Sequence, residues 1–166
     1  MKTLLKEKCT ISFWVKEANT GSRSIYFGGH NGSNFNIEQT GTNFRVYWNG
    51  APDLTVGGCV ANEWIMWTVT TDIASGIKIY KNGALVKTHD AALTDIAANF
   101  TRDFNIGKDS RTDSTMMEGK MSDFRIYASV LNADDIKDLY QTAISMTKNG
   151  ITQAYEFSEG PDSFHI

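Results

Sequence analysis

Residues 10–16 read Thr-Ile-Ser-Phe-Trp-Val-Lys. Ile11, Phe13 and Val15 alternate with the residues at 12, 14 and 16, and this period of two is typical of a strand with one buried face. The same alternation recurs at 24–27, 35–38 and 44–48, and residues 63–71, 76–80, 84–87, 103–106 and 120–127 are rich in aromatic and β-branched side chains. The sequence therefore predicts about ten short strands separated by Gly, Asn and Ser clusters that favour turns.

Three of the four Asn-Gly pairs in the chain indicate how the strands are connected. They lie at Asn49–Gly50, Asn82–Gly83 and Asn149–Gly150. Asn-Gly accepts the positive φ angles of a tight hairpin turn. We therefore expect antiparallel pairing of neighbouring strands.

One segment, residues 132–141, has the features of a short helix. Asn132 is a good N-cap, Asp134 and Asp135 lie where the helix dipole favours negative charge, and apolar residues further along share one face. Strands that dominate a single short helix, without strand–helix alternation, predict an all-β, two-sheet antiparallel sandwich.

The composition limits the classes of function. The chain has 166 residues, which suits one domain, and 16 Lys and Arg against 19 Asp and Glu give a formal net charge of −3. The basic residues are scattered singly, which argues against nucleic acid as a partner. The longest apolar stretches are a few residues, so membrane insertion is not expected, and Leu4-Leu5 is too short for a signal peptide.

Cys9 and Cys59 are the two cysteines of the chain. They leave two alternatives, a disulfide or two small buried thiols, and the residues favour the thiols because two cysteines do not make a disulfide framework. A zinc site is disfavoured, since neither cysteine has a second ligand at the usual spacing.

Several ordered motifs resemble a known family. They are Phe13-Trp14-Val15, residues 64–70 followed by Asp72, Ile79-Tyr80-Lys81-Asn82-Gly83, Asn105-Ile106-Gly107, and residues 119–127 leading into 131–140. Their order and spacing resemble a laminin G-like domain of the concanavalin A-like lectin and glucanase superfamily, of the type found in phage tail, other virion and bacterial surface proteins. The resemblance implies a jelly-roll sandwich over residues 1–143. Residues 144–166 are then expected to form a C-terminal hairpin, over 144–157, and a polar tail.

Glucanases of this superfamily carry a Glu followed two residues later by an Asp, which places two carboxyl groups on one strand face. None of the seven Glu residues here has an Asp at that spacing. The histidines also lack a neighbouring nucleophile motif. The sequence therefore predicts that the domain is not an enzyme; a cryptic glycoside hydrolase, with carboxylates from different strands, is the third hypothesis.

Sugar sites on sandwiches combine a stacking aromatic ring with polar side chains that bond hydroxyl groups. The candidate ligand-binding residues are Tyr26, His30, Asn31, Asn34, Arg45, Tyr47 and Trp48. In the alternative interpretation the loop at residues 28–34 is an ordinary polar connection, and Trp48 packs in the core. Strand parity then points Arg45 and Tyr47 away from the core, so this pair is the preferred candidate.

The loop at residues 108–115 is a candidate calcium site. Asp109 and Asp113 offer the hard oxygen ligands that calcium requires, and the resemblance implies a calcium ion at the sandwich rim. The alternative is a solvated turn. Asp72 has the same two interpretations, as a ligand or as a turn-capping residue.

The remaining assignments are structural. Trp14, Trp64 and Trp67 are expected in the core. Asp123 and Arg125, which alternate on one strand, are expected to form an ion-pair network across the sheet.

These observations favour a non-catalytic binding or adhesion domain that recognises surface glycans or a cell-surface receptor. We expect it at the surface of a virion or a cell, as part of a larger assembly, with several weak sites acting together. The alternative is a structural assembly domain of a phage tail or capsid that contacts other virion subunits.

Overall fold

The computed structural model describes residues 7–29, 35–95, 104–109, 116–148 and 155–156. The elements in these ranges are β1 (Lys8–Glu17), β2 (Arg23–Gly29), β3 (Phe35–Thr40), β4 (Asn43–Trp48), β5 (Leu54–Gly57), β6 (Ile65–Asp72), β7 (Gly76–Lys81), β8 (Ala84–His89), β9 (Asn105–Ile106), β10 (Gly119–Tyr127), α1 (Ala133–Lys148) and β11 (Tyr155–Glu156).

The strands form two antiparallel sheets. The six-stranded sheet has the order β11-β10-β1-β6-β7-β8, and the five-stranded sheet has the order β5-β4-β3-β2-β9. Sequence neighbours such as β3 and β4, or β6 and β7, are paired directly, as hairpins require. The predicted all-β, two-sheet antiparallel sandwich is confirmed.

The main core lies between the two sheets, because strands such as β1, β4 and β6 turn apolar side chains inward. Phe44 of the five-stranded sheet stacks on Trp67 of the six-stranded sheet at 4.0 Å between ring centroids. Trp67 is fully buried, as predicted, whereas Trp14 and Trp64 are only partly buried. Trp14 lies on the opposite side of β1 from Phe13, so it packs outside the main core.

Trp14 belongs to a second apolar cluster beneath α1. Met66, Tyr80 and Ile136 form its buried centre, and Trp14 stacks on Tyr140 at 5.6 Å. Trp14 and Met66 are paired across β1 and β6 on the side away from the main core. The helix therefore covers the outer side of the six-stranded sheet.

The N-cap of α1 is the predicted one. Oδ1 of Asn132 accepts the backbone N–H groups of Asp134 and Asp135, each at 2.9 Å. These bonds satisfy two of the donors that a helix leaves free at its start.

The end of α1 differs from the prediction. The helix continues to Lys148 instead of ending near residue 141, so the hairpin expected from residue 144 is wrong over 144–148 and α1 crosses the expected boundary between 143 and 144. Residues 133–149 contain neither Gly nor Pro, and nothing in this stretch interrupts a helix. Beyond it, Tyr155 and Glu156 pair with Met121 and Lys120 of β10.

The three Asn-Gly pairs that were expected to form hairpin turns differ in structure. At Asn82–Gly83 both residues have positive φ, 51° and 80°, and they form the predicted two-residue turn between β7 and β8. At Asn49–Gly50 only the glycine has positive φ, and a five-residue connection, 49–53, leads to β5. Asn149–Gly150 lies outside the described residues.

Candidate functional site

The side of the five-stranded sheet that faces away from the core is here called the outer face. On β4, the buried residues Phe44, Val46 and Trp48 alternate with the partly exposed Arg45 and Tyr47. The structure thus places Arg45 and Tyr47 on the outer face, as strand parity predicts.

Two predicted platform residues belong to the core instead. Tyr26 and Trp48 are 0% and 1% exposed, so neither ring offers a face to a sugar, and their assignment to the binding surface is corrected. Trp48 packs edge-on against Phe35 and donates its indole N–H to the Thr94 carbonyl at 3.0 Å. A bulge at β2 between Ile25 and Phe27 turns Tyr26 inward beside its neighbour.

Glu38 organises the charges of the outer face. It lies opposite Arg45 on the neighbouring strand and is 0% exposed. Its Oε2 accepts from Nη2 of Arg23 at 2.5 Å, and its Oε1 accepts from Nη1 of Arg45 at 2.9 Å. Each carboxylate oxygen therefore has its own guanidinium partner.

Asp53 extends this arrangement from the connection before β5. Nη2 of Arg45 donates to both carboxylate oxygens of Asp53, at 2.9 and 2.7 Å. The four residues Arg23, Glu38, Arg45 and Asp53 form a chain of alternating charge, here called the ion-pair chain. Partial burial lowers the pKa of Arg45, but its hydrogen bonds to Asp53 and Glu38 outweigh this and raise that pKa above its ordinary value.

Tyr47 is held beside the ion-pair chain. The guanidinium carbon of Arg45 lies 5.2 Å from the centroid of the Tyr47 ring, within the range of a cation–π contact. Arg45 therefore occupies one face of the ring. Tyr47 remains partly exposed, so part of its surface is available for contact.

The outer face presents hydrogen-bond donors. Both carboxylate oxygens of Glu38 accept from guanidinium groups, so each already has a partner. Guanidinium groups only donate hydrogen bonds, and Arg23 uses its Nε and Nη2 groups to bind Glu38. A ligand here would present oxygen acceptors.

The loop residues His30, Asn31 and Asn34 lie outside the described residues. The residues that flank this segment, Gly29 and Phe35, are paired with each other at the end of β2 and β3. A role of His30, Asn31 and Asn34 in ligand binding stays a prediction.

The calcium site also stays a prediction. Asp109 is 4% exposed and follows the β9 segment, and Asp113 lies outside the described residues. Within the described ranges, no group of three or more His, Cys, Asp or Glu side chains is arranged to hold a metal ion.

Asp72 has its turn-capping role. Its Oδ1 accepts the backbone N–H of Ala74 at 2.9 Å, and Lys8 lies 3.3 Å from its other oxygen. The Ala74 bond is the main reason that the pKa of Asp72 lies below its ordinary value, although burial opposes it; Ser75 and Lys8 lower the pKa further.

Cys9 and Cys59 are buried free thiols, as predicted. Asp123 and Arg125 form an ion pair with each other along β10, with Nε to Oδ1 at 2.5 Å. The network that was expected across the sheet stays a prediction.

Sequence reasoning missed Arg23, Glu38 and Asp53. These residues are separated by 15 and 15 positions along the chain and meet only because β2, β3 and β4 are paired. The available signal was a Glu inside the otherwise uncharged strand at residues 35–40, since a charge on a buried strand needs partners.

None of the helical residues described here forms a span long and apolar enough to cross a lipid bilayer.

Comparison with known proteins places these features in context. Botulinum neurotoxin type C of Clostridium botulinum C phage is 29% identical over 157 residues, which cover 82% of this chain and 12% of the toxin. The receptor binding domain of the botulinum neurotoxin C/D mosaic serotype has a similar fold, with a TM-score of 0.60 and 20% identity over 85% of this chain and 37% of that domain.

A second solved structure is the binding domain of botulinum neurotoxin DC in complex with rat synaptotagmin II. It is 19% identical, with a TM-score of 0.60, over 84% of this chain and 36% of that domain. The chain therefore spans little more than a third of these binding domains. A laminin G model described as the concanavalin A-like lectin/glucanases superfamily matches residues 2–137. On this match, together with its two-sheet fold, the chain belongs to the concanavalin A-like lectin/glucanases superfamily.

Proposed function

We propose that this domain is a non-catalytic binding module that recognises glycans on a cell surface through the outer face of its five-stranded sheet. The observation that carries the proposal is the Arg45–Tyr47 pair, held on that face by the buried carboxylate of Glu38. An aromatic ring beside fixed polar donors is the combination that sugar recognition uses. The domain would act outside the cell or at a virion or cell surface.

The relatives support the coarser part of this proposal. The similar solved structures are receptor-binding domains of neurotoxins, and one of them is in complex with synaptotagmin II, a protein. Binding to a protein receptor is therefore the alternative to binding a glycan.

The chain offers a matched control for the site. Arg125 and Tyr127 repeat the Arg-x-Tyr spacing of Arg45 and Tyr47 on β10, in the other sheet, with Nη1 of Arg125 3.5 Å from the Tyr127 hydroxyl. A substitution at Tyr127 removes the same kind of ring from a different surface. A comparison of the Tyr47 and Tyr127 variants therefore distinguishes loss of the binding site from general destabilisation of the fold.

The experiment is a glycan array with the purified domain, followed by titration of any bound glycan. We expect Tyr47→Ala to weaken binding at least about tenfold, which corresponds to about 1.4 kcal/mol, and Tyr127→Ala to leave it unchanged. Equal effects of both substitutions, or binding that neither changes, would overturn the assignment of the site.

Calcium is tested in the same experiment. We propose Asp109 and Asp113 as ligands of a calcium ion, because carboxylate oxygens suit it. Glycan binding or thermal stability that falls with a chelator and returns with added calcium is expected; insensitivity to both would remove the ion from the proposal.

The second candidate function is assembly with other subunits, for example in a virion. It is favoured by two exposed apolar side chains of β8, since Leu85 and Val86 are 51% and 40% exposed and could pack against another subunit without strand pairing. Light scattering on the same sample distinguishes the two functions. A monomer that binds a glycan supports recognition, and a stable oligomer that is silent on the array supports assembly.

A further inference from the structure

A carboxyl group is buried between the two sheets at one end of the sandwich. Glu17 is the last residue of β1, and its side chain is 3% exposed on the core side. Ser24 of β2, in the opposite sheet, lies 3.3 Å away, Oγ to Oε2. Oε1 of Glu17 has no hydrogen-bond partner within the described part of the chain.

The surroundings of Glu17 favour its neutral form. Among the described residues, no Lys or Arg forms an ion pair with it. Lys81, whose charge acts on the neighbouring Cys59, donates from Nζ to the Gly58 carbonyl at 2.7 Å. A buried carboxylate without a cation is costly, so the group avoids ionising.

The other titratable groups around Glu17 do not compensate its charge. They are the Tyr26 hydroxyl from β2, the Cys59 thiol from the β5–β6 connection and the Glu118 carboxylate next to β10. Tyr26 donates its one hydroxyl proton to Oε1 of Gln39 at 3.0 Å, so a neutral Glu17 can donate to the Tyr26 oxygen.

We propose that Glu17 is a proton-operated latch, which joins the two sheets at this end of the sandwich when it is neutral and loosens them when it is ionised. Two loops depend on the latch. Asn62 donates its N–H to the Glu17 carbonyl at 2.7 Å, and Ala18 donates to the Glu118 carbonyl at 2.8 Å. The loops at 18–22 and 58–62 are therefore the segments that open.

The latch operates in the physiological range. Burial raises the pKa of Glu17 from 4.5 to about 7; the nearby Tyr26 and Ser24 hydroxyl groups oppose this rise, and the Glu118 charge adds to it. Between those two values the folded protein keeps a proton that the unfolded chain has lost, so stability falls as the pH rises. The folding equilibrium constant then decreases by at most about 300-fold from pH 4.5 to pH 7.

The latch also borders the outer face. Ser24 contacts Glu17 on the inner side of β2, and its neighbour Arg23 holds Glu38 on the other side. Opening at Glu17 would therefore disturb the start of the strand that orients Arg23.

The test is urea denaturation of the wild-type chain and of Glu17→Gln from pH 5 to pH 9. We expect wild-type stability to fall toward pH 7 and that of Glu17→Gln to change much less. Glu63→Gln, at an exposed position, is the control and should follow the wild type. Parallel profiles of wild type and Glu17→Gln would overturn the proposal.

A direct measurement covers the case in which Glu17→Gln does not fold. The side-chain carboxyl carbon of Glu17 is followed by NMR in the wild-type chain, together with amide exchange at 18–22 and 58–62. A midpoint near 7 with lower amide protection above it, after correction for base-catalysed exchange, supports the latch. A midpoint near 4.5, or amide protection that does not change across the titration, contradicts it.

Discussion

At the scale of single residues, the two buried glutamates differ in the partners of their carboxyl groups. Glu38 is paired with two guanidinium groups, and Glu17 has no cation partner among the described residues. Both are fully or almost fully buried, 0% and 3% exposed. The difference lies in the neighbours that the sheets supply. Arginines of the two adjacent strands bind Glu38, whereas a serine of the opposite sheet contacts Glu17.

The two arginines share the stabilisation of Glu38, so their effects are coupled. We expect Arg23→Met and Arg45→Met each to destabilise the fold by about 1 kcal/mol, because the other arginine still neutralises Glu38. The double variant leaves a buried carboxylate unpaired, and we expect it to cost about 3–5 kcal/mol, more than the sum of the single effects. Urea denaturation of the full double-mutant cycle measures this.

The control for that cycle is Asp53→Asn, since the Asp53 side chain is 54% exposed. An exposed ion pair contributes about 0–1 kcal/mol, so a small effect is expected. Strictly additive arginine effects would show that Glu38 does not depend on the pair.

At the scale of elements, the β7–β8 turn joins sheet and helix. Gly83 has a φ of 80°, and a Cβ at this position would lie 3.2 Å from the Tyr140 Cβ on α1. The turn therefore requires glycine for two reasons, backbone conformation and the close approach of the helix.

Gly83→Ala separates these two reasons when it is compared with Gly41→Ala. Gly41 also has positive φ, 62°, but has open space around it. We expect Gly41→Ala to cost about 1–2 kcal/mol from backbone strain alone, and Gly83→Ala to cost more. Thermal unfolding of the two variants provides the comparison, and equal costs would show that α1 yields to the added methyl group.

The edge strand β8 carries features that oppose pairing with another sheet. Lys87 lies opposite Ile79 in the register and is exposed, and a bulge at Val86 interrupts the register. Lysine side chains and bulges on an edge strand are means by which natural sheets avoid edge-to-edge association.

Removal of the Lys87 charge should therefore promote association. We expect Lys87→Val to raise the apparent mass in light scattering with increasing protein concentration. Lys78→Val, at an exposed position on the paired strand β7, should not. A monomeric Lys87→Val at high concentration would mean that the bulge alone protects this edge.

At the scale of the whole molecule, the contact between the sheets holds the fold together. Trp67 stacks on Phe44 across the core with an interplanar angle of 11°, and it is fully buried. Large aromatic side chains dominate the apolar area that such a core removes from water.

Trp67→Ala tests this directly. We expect it to cost about 3–5 kcal/mol, enough to unfold a marginally stable domain near physiological temperature. Trp64→Ala, at a partly exposed position just before β6, should cost clearly less. Circular dichroism and urea denaturation of the two variants check the difference; similar losses would mean that the β6 entrance is as critical as the core.

The polar–apolar alternation along each strand fixed most of what could be predicted. The strands, the Asn82–Gly83 turn, the Asn132 cap and the outward parity of Arg45 and Tyr47 depend on residues close together in the chain, and the structure bears them out. The extent of α1 is also local information, namely the absence of Gly and Pro up to residue 149.

Only the tertiary structure decided which polar groups meet. The pairing of β2, β3 and β4 brings Arg23 and Arg45 to Glu38, and the closure of the sandwich brings Ser24 to Glu17. The burial of Tyr26 likewise depends on a bulge that parity alone does not reveal. The sequence by itself determined the class of fold, because secondary structure follows local periodicity, whereas strand register and sheet packing set the charges and burial on which recognition depends.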